Sequence, residues 1–193
     1  MQIALRCRSQ SQIRPFMHIL AISGSLRTGA SNTAVLEAAA LLAPPGVTIT
    51  LYDGLGALPH FNPDLDSPDG GQLPEIVAGL RKQIGHADGV LISCPEYAHG
   101  IPGSFKNLLD WLVGSTEFPG KPVALLNTSP MSVHAPAQLA EVLATMNARL
   151  IPEASITVQP RNRGSNAIDI AADPESSATL RNAIAAFARA AHE

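Results

Sequence analysis

Residues 23–33 bring hydroxyl, guanidinium and amide side chains together in one segment that contains no acid. An apolar run typical of a buried strand precedes it, and an Ala- and Leu-rich run typical of a helix follows it. Because a helix N-terminus offers free N–H groups and positive partial charge, such a segment suits a bound phosphate monoester. The expected donors are Ser25, Arg27, Ser31, Asn32 and Thr33. A simpler alternative for Ser31 alone is that it caps the helix.

A second segment, residues 95–103, reads Pro-Glu-Tyr-Ala-His-Gly-Ile-Pro-Gly and follows another apolar run. Its prolines and glycines predict a backbone of fixed shape, which would hold N–H and C=O groups in place for the edge of a heteroaromatic ring. Tyr97 and His99 could line that ring or a substrate above it. The alternatives are a packing role for Tyr97 and an exposed loop position for His99.

No arrangement of residues typical of side-chain catalysis is identifiable. The six histidines lack metal-binding spacing, and no Ser/His/Asp set stands out. Cys94 ends an apolar run with no identifiable base, so we expect a buried strand-end residue rather than a nucleophile. We accordingly predict no catalytic side chain and no metal site, and expect a bound cofactor to supply the chemistry.

Short apolar runs alternate with helical patterns along the chain. The predicted strands are residues 19–23, 47–52, 89–94, 122–127 and 155–158. The predicted helices are residues 31–42, 73–86, 102–113, 134–150 and 173–191, with irregular loops at 53–72 and 160–172. Continuous apolar strands indicate a parallel sheet covered on both faces, so the predicted fold class is α/β.

The strand–helix units predict a doubly wound, three-layer α/β/α sandwich around a five-stranded parallel sheet. Of the two common strand orders, five strands favour the flavodoxin-like order 2-1-3-4-5 over the Rossmann order. Ligands of such sheets bind at the carboxyl ends of strands 1 and 3, where the order reverses. The segments 23–33 and 95–103 both begin at that point.

The composition is that of one folded domain. The chain has 193 residues, of which 46% are hydrophobic and 15% charged, and its formal net charge is −3. This balance excludes intrinsic disorder for the bulk and disfavours nucleic-acid binding, and no apolar run is long enough for a membrane span. Two cysteines, Cys7 and Cys94, cannot form a disulfide framework, and we expect a cytoplasmic protein.

Residues 1–16 differ from the rest because they are rich in Arg, Ser and Gln and contain no acid. We expect a flexible N-terminal arm here, with residues 17–193 forming the domain and Met17 a candidate for the true start. The alternatives are a transit peptide and a basic arm for an acidic partner.

Six short motifs stand at the predicted strand–helix junctions and on the third predicted helix. They are Gly24-Ser-Leu-Arg27, Ser31-Asn32, Pro95-Glu-Tyr97, Pro102-Gly103, Lys106-Asn107 and Asp110-Trp111. With these motifs the chain resembles the NADPH-dependent FMN reductase family, a flavodoxin-like group that includes quinone, azo-dye and chromate reductases. The resemblance covers about residues 17–158.

The resemblance implies FMN as the cofactor, with its phosphate held by the donors of residues 23–33. It implies that the ring is held by the second segment and the loop after strand 4, at Pro95, Glu96, Tyr97, Ala98, His99, Gly100, Thr128, Ser129 and Pro130. Ala98 replaces an Asn that is common in the family, and residues 127–134 lack the usual glycines. Members are usually dimers or tetramers, which implies a homodimer or homotetramer here.

The implied activity is an oxidoreductase that passes a hydride from NADPH or NADH through bound FMN to a small acceptor by a ping-pong mechanism. The implied acceptor is a quinone, an azo compound, free flavin or an oxidised metal anion. Two alternatives remain open: an FMN-binding electron carrier, and a nucleotide-binding α/β module without turnover. Electron carriers of this fold are typically strongly acidic, whereas a net charge of −3 is modest.

Overall fold

The computed structural model describes residues 16–66, 71–162 and 164–191, so the predicted arm lies outside the described residues except for Phe16. A parallel sheet forms the centre of the fold. Its strands are β1 (Met17–Ser23), β2 (Val47–Tyr52), β3 (Gly89–Ser93), β4 (Pro122–Asn127), β5 (Arg149–Leu150) and β6 (Ile156–Thr157). The order is β2-β1-β3-β4-β5, and β6 also pairs with β4. The predicted fold class and strand order are confirmed.

Helices cover both faces of the sheet. They are α1 (Ser31–Leu41), α2 (Glu75–His86), α3 (Gly103–Val113), α4 (His134–Thr145), α5 (Ala167–Ala172) and α6 (Pro174–Ala191). Short 3-10 helices occur at Leu55–Ala57, Pro63–Leu65 and Pro152–Ala154. Side chains of α2, α3 and α4 form one core, and those of α1, α5 and α6 form the other. Among these described helices, none has the length and apolar character needed to cross a membrane.

β1 contributes to both cores because alternate side chains of a strand point to opposite faces of the sheet. Ile19 and Ala21 join the core on the α1 side, whereas Leu20 and Ile22 join the core on the α3 side. β1 pairs with β2 on one side and with β3 on the other, and Ser23 lies opposite Ser93. The loops that follow β1 and β3 therefore leave the sheet side by side.

The fifth position of the predicted sheet is divided between two short strands. β5 and β6 each pair with β4, and the 3-10 helix at Pro152–Ala154 separates them. The predicted helix over 134–150 is wrong in its last turn, because α4 ends at Thr145 and β5 begins at Arg149. Asn147 has a φ of 57°, a left-handed conformation that often follows a helix end. This turn directs the chain back toward β4.

The predicted loop over 160–172 contains α5, which the sequence prediction missed. A capping box begins this helix: Asn166 Oδ1 accepts a hydrogen bond from the Asp169 N–H at 3.0 Å, and Asp169 Oδ2 accepts one from the Asn166 N–H at 3.0 Å. The usual form of this motif pairs Ser or Thr with Glu or Gln. Asn and Asp are also common in turns, so the residue types at the start of α5 predict a loop instead of a helix.

Gly89 in β3 makes room for the ring of Phe187 from α6. A Cβ at position 89 would lie 2.4 Å from Phe187 Cζ, and that ring is fully buried. We expect Gly89→Ala to lower the free energy of unfolding by about 1–3 kcal/mol, because the overpacked ring must leave its position. Urea denaturation measures this change.

The matched control is Gly79→Ala in α2, where an added Cβ meets no heavy atom within 4 Å. Alanine favours a helix more than glycine does, so this variant should gain up to about 1 kcal/mol. A loss of similar size in both variants would contradict the packing account.

Candidate functional site

Gly24, directly after β1, and Cys94, directly after β3, are in contact at the carboxyl edge of the sheet. The Gly24 N–H donates to the Ser93 carbonyl oxygen at 2.8 Å, and a Cβ on Gly24 would lie 2.6 Å from Cys94 Sγ. No larger residue fits at position 24 without displacing its neighbour. Burial raises the pKa of Cys94 to about 12, so its thiol is protonated at neutral pH. This agrees with the expected packing role for Cys94.

The first loop, residues 24–30, is folded by its neighbouring hydroxyl groups. The hydroxyl oxygens of Ser23 and Thr33 are 2.9 Å apart. The Ser25 N–H donates to Ser23 Oγ at 3.3 Å, and the Arg27 N–H donates to Ser25 Oγ at 3.2 Å. Because Ser25 Oγ accepts in this contact, its own proton remains available to a ligand. The Arg27 side chain is exposed at the rim of the loop.

The helix α1 begins without a side-chain cap. Ala30 occupies the N-cap position, makes no capping hydrogen bond, and no acid stands in the first turn. Ser31 is the first helical residue, so the alternative that Ser31 caps the helix is wrong. The N–H groups and the positive end of the helix are therefore directed at the first loop. An anion such as a phosphate is the natural partner for such a helix end.

Asn32 connects three parts of the sheet region. Its Nδ2 donates to Ser93 Oγ at 3.0 Å, and Ser93 Oγ donates to the Leu126 carbonyl oxygen at 2.6 Å. Asn32 is only 6% exposed. Its side chain thus holds α1 against β3 and β4, and its backbone N–H lies in the first turn of α1 beside the first loop.

The second loop, residues 94–102, contains a tight two-residue turn. Tyr97 and Gly100 exchange two backbone hydrogen bonds of 3.0 Å each. Between them, Ala98 and His99 have φ values of 48° and 59°. Two consecutive left-handed residues define a type I′ turn, in which Asn and Gly are favoured and Ala is strained. Tyr97, Ala98 and His99 are exposed, and Pro95 and Gly100 are half-buried.

Glu96 ties the second loop to the start of α4. Its Oε2 accepts hydrogen bonds from the N–H groups of His134 at 2.8 Å and Ala135 at 2.9 Å. The bond from Ala135, together with that from His134, holds the pKa of Glu96 below its usual range against the opposing effect of burial. A carboxylate at a helix N-terminus also complements the helix dipole. Glu96 thus positions two elements, a role that sequence reasoning missed.

The third loop, residues 128–133, continues from β4 beside the second loop. Asn127 holds its shape: Nδ2 donates to the Ser129 carbonyl oxygen at 2.7 Å, and Oδ1 accepts from the Ser129 N–H at 3.3 Å. Thr128 and Ser129 are half-buried, and Pro130 is exposed. The predicted site residues therefore lie on three loops around the ends of β1, β3 and β4 and, for Ser31, Asn32 and Thr33, in the first turn of α1.

Two further contacts join the second loop to α4. The rings of His99 and His134 stack with centroids 4.3 Å apart and an interplanar angle of 12°. The Ile101 N–H donates to Gln138 Oε1 at 2.9 Å. No spacing in the sequence indicates these contacts, because the residues belong to different loops and helices.

The motif residues on α3 hold the long loop between β2 and α2. Trp111 Nε1 and Asn107 Nδ2 donate to the Pro59 carbonyl oxygen at 2.8 and 2.9 Å, and the Phe61 N–H donates to Asn107 Oδ1 at 2.7 Å. Trp111 is fully buried and the ring of Phe61 meets it edge-on at 5.1 Å. These side chains therefore support the fold by holding the loop between β2 and α2 against α3.

Two adjoining cavities, of about 520 and 430 Å³, open near the end of β6. Pro160, Arg161, Asp173 and Ser176 line both, and Pro130 of the third loop lines the smaller one. Arg161 Nε and Asp173 Oδ1 are 2.6 Å apart at this position. The cavities extend the edge formed by the three loops, and sequence reasoning did not identify them.

With this geometry in place, comparison with known proteins identifies the class. Residues 17–161 match the model of the NADPH-dependent FMN reductase family, so the chain belongs to this family. The flavoenzyme NAD(P)H:acceptor oxidoreductase FerB from Paracoccus denitrificans is 30% identical and superposes with a TM-score of 0.72 over 90% of this chain and 96% of FerB. The predicted family resemblance is confirmed.

Curated relatives match over a shorter segment. An NAD(P)H-dependent FMN reductase from Pseudomonas aeruginosa is 41% identical over 113 residues, 58% of this chain and 59% of that protein. A quinone reductase from Escherichia coli K12 is 35% identical over 119 residues, 61% of this chain and 62% of that protein. The chain thus spans about three fifths of the length of these relatives.

Ala98 gives a test of the strained turn. We expect Ala98→Gly to raise the free energy of unfolding by about 0.5–1 kcal/mol, because glycine adopts a positive φ without the steric cost that alanine incurs. Thermal or urea unfolding measures the change. The control is Ala78→Gly on the exposed face of α2, where the same substitution should lower stability by a similar amount. Destabilisation by both would contradict strain at position 98.

Proposed function

We propose that the chain binds FMN and passes reducing equivalents from NADPH or NADH to a small electron acceptor. The observation that carries this proposal is the uncapped N-terminus of α1 directed at a loop of donors. This helix end lies at the point where the strand order reverses, which is where doubly wound sheets bind their ligands. The residues present therefore fit a phosphate-bearing cofactor, and family membership names FMN.

The phosphate end of the cofactor is assigned to the first loop and the first turn of α1. Ser25, Ser31 and Thr33 would donate hydroxyl hydrogen bonds, and Arg27 would add a charge-assisted one. Asn32 would contribute its backbone N–H, since its side chain is engaged with Ser93. The positive end of α1 adds a favourable interaction with the dianion.

The ring is assigned to the edge between the second and third loops. The mutual bonds of Tyr97 and Gly100 occupy those two N–H groups, which leaves the N–H groups of Ala98 and His99 for the ring edge. Pro95 and Glu96 fix the approach to the turn, while Thr128, Ser129 and Pro130 would border the ring from the third loop. When bound, FMN supplies the hydride and electron chemistry, and the backbone dipoles of the loops would stabilise negative charge at the ring.

Exposed apolar side chains surround this edge. Leu26, Tyr97, Met131 and Val133 are between 56% and 83% exposed, and they stand on all three loops. Such a concentration of apolar surface favours a cover of protein, so we propose a homodimer or homotetramer that excludes water from the ring. The proposed location is the cytoplasm, where NADPH and NADH are available as donors.

The donor and the acceptor would use the ring in turn, with the oxidised donor leaving before the acceptor binds. This order of events is a ping-pong mechanism. The names of two relatives support quinones as the acceptor class. One is a quinone reductase, and another, from Burkholderia, is a 2-hydroxy-1,4-benzoquinone reductase. Azo compounds, free flavin and oxidised metal anions remain further acceptor classes for the same site.

A visible absorption spectrum tests the proposal directly. We expect protein that has been incubated with FMN and gel-filtered to retain the flavin band, and anaerobic NADPH or NADH to bleach it. Adding a benzoquinone should restore the band. A retained band that neither donor bleaches would indicate an electron carrier, and failure to retain flavin would reject FMN as the cofactor.

Arg27 tests the placement of the phosphate. We expect Arg27→Gln to weaken FMN binding about tenfold, or about 1.4 kcal/mol, and to leave riboflavin binding unchanged, because riboflavin lacks the phosphate. Fluorescence titration of both ligands measures this difference. Lys82→Gln, on the exposed surface of α2, removes the same charge and should change neither affinity. An equal loss for FMN and riboflavin would place the phosphate elsewhere.

A further inference from the structure

Three side chains at the junction of the second loop and α4 could ligate one metal ion. One side-chain ligand atom from each of Glu96, His99 and His134 lies within 4.8 Å of the other two. Two imidazoles and one carboxylate form a common ligand set for zinc in proteins. This cluster is separate from the first loop, where the cofactor phosphate is assigned.

Glu96 is already oriented as a metal ligand would be. Its Oε2 is fixed by the N–H groups of His134 and Ala135, and its Oε1 is left for another partner. Ligating carboxylates in metal sites are usually held by such hydrogen bonds, which set their direction. The same bonds satisfy the N–H groups of His134 and Ala135 at the start of α4.

The two histidines would have to move closer together to share one ion. Ligand atoms on one tetrahedral zinc ion lie about 3.3 Å apart, given bond lengths of about 2.0–2.2 Å. In the stacked arrangement the two rings are nearly parallel, so one ring must turn for both nitrogens to address one ion. Both residues are exposed, and the rotation would break the stacking of the two rings on each other.

We propose that Glu96, His99 and His134 bind one divalent transition-metal ion of the zinc class. Three protein ligands leave a fourth position for water, as in zinc sites that exchange ligands. The ion would cross-link the turn at residues 97–100 to the start of α4, which fixes the loop that borders the proposed ring site. This site goes beyond the proposed flavin reaction and does not depend on it.

Zinc titration of the untagged, metal-free full chain tests the site, with and without FMN. We expect isothermal titration to give one Zn²⁺ per chain, and His99→Gln and His134→Gln each to weaken binding about tenfold or more. His60→Gln changes an exposed histidine in the loop between β2 and α2 and should leave the affinity unchanged. Circular dichroism of each variant checks that the fold is kept.

Cobalt substitution supplies a second readout. Co²⁺ in a four-coordinate site with nitrogen and oxygen ligands should give visible absorption bands that zinc displaces, and neither histidine variant should show them. The proposal is overturned if Zn²⁺ does not bind at one per chain. It is equally overturned if the His99 and His134 variants bind as tightly as His60→Gln. Flavin retention does not enter either readout, so this result and that for the proposed function are distinguishable.

Discussion

The buried hydroxyl group of Ser93 is the constraint on which the arrangement of the three loops depends. Ser93 is 0% exposed at the end of β3, where its oxygen accepts from Asn32 and donates to the Leu126 carbonyl. A buried hydroxyl without partners is costly, so these bonds fix α1 and β4 relative to β3. The Ser93 carbonyl oxygen also holds Gly24. The starting points of the three loops thus follow from one residue whose side chain stays inside the fold.

Local sequence patterns predict most strands of the sheet. They fail at the end of α4, where the chain reverses although apolar residues continue at helical spacing. Residues 47–52 and 122–127 form the strands that their apolar runs predict, because a strand of a covered parallel sheet tolerates apolar residues on both faces. Met146 and Leu150 continue the helical spacing of α4, so periodicity alone extends that helix. Only the left-handed Asn147, a feature of backbone conformation, ends it. Because the predicted helix extends to residue 150, it also conceals β5, and with it the division of the fifth strand position into β5 and β6.

In the candidate site, too, local features can be predicted from the sequence, whereas contacts between distant residues cannot. Residue types and order predict the first two loops and the family, because a donor-rich loop before a helix and a Pro- and Gly-rich loop after a strand are local features. The capping of α4 by Glu96 joins residues 38 positions apart, and the contact of His99 with His134 likewise joins the second loop to α4. Such contacts require the fold to be known. Ala98 shows the complementary case: its backbone adopts the left-handed conformation although its residue type disfavours it.

The short lengths of β5 and β6 affect how copies of this protein can meet. Each strand has two residues, and the 3-10 helix at Pro152–Ala154 interrupts the row of N–H and C=O groups between them. A neighbouring chain needs a longer uninterrupted row to add a strand of its own. This side of the sheet is therefore protected against edge-to-edge aggregation and fibril growth. Association of copies on that side must use side chains of the helices and loops rather than extension of the sheet.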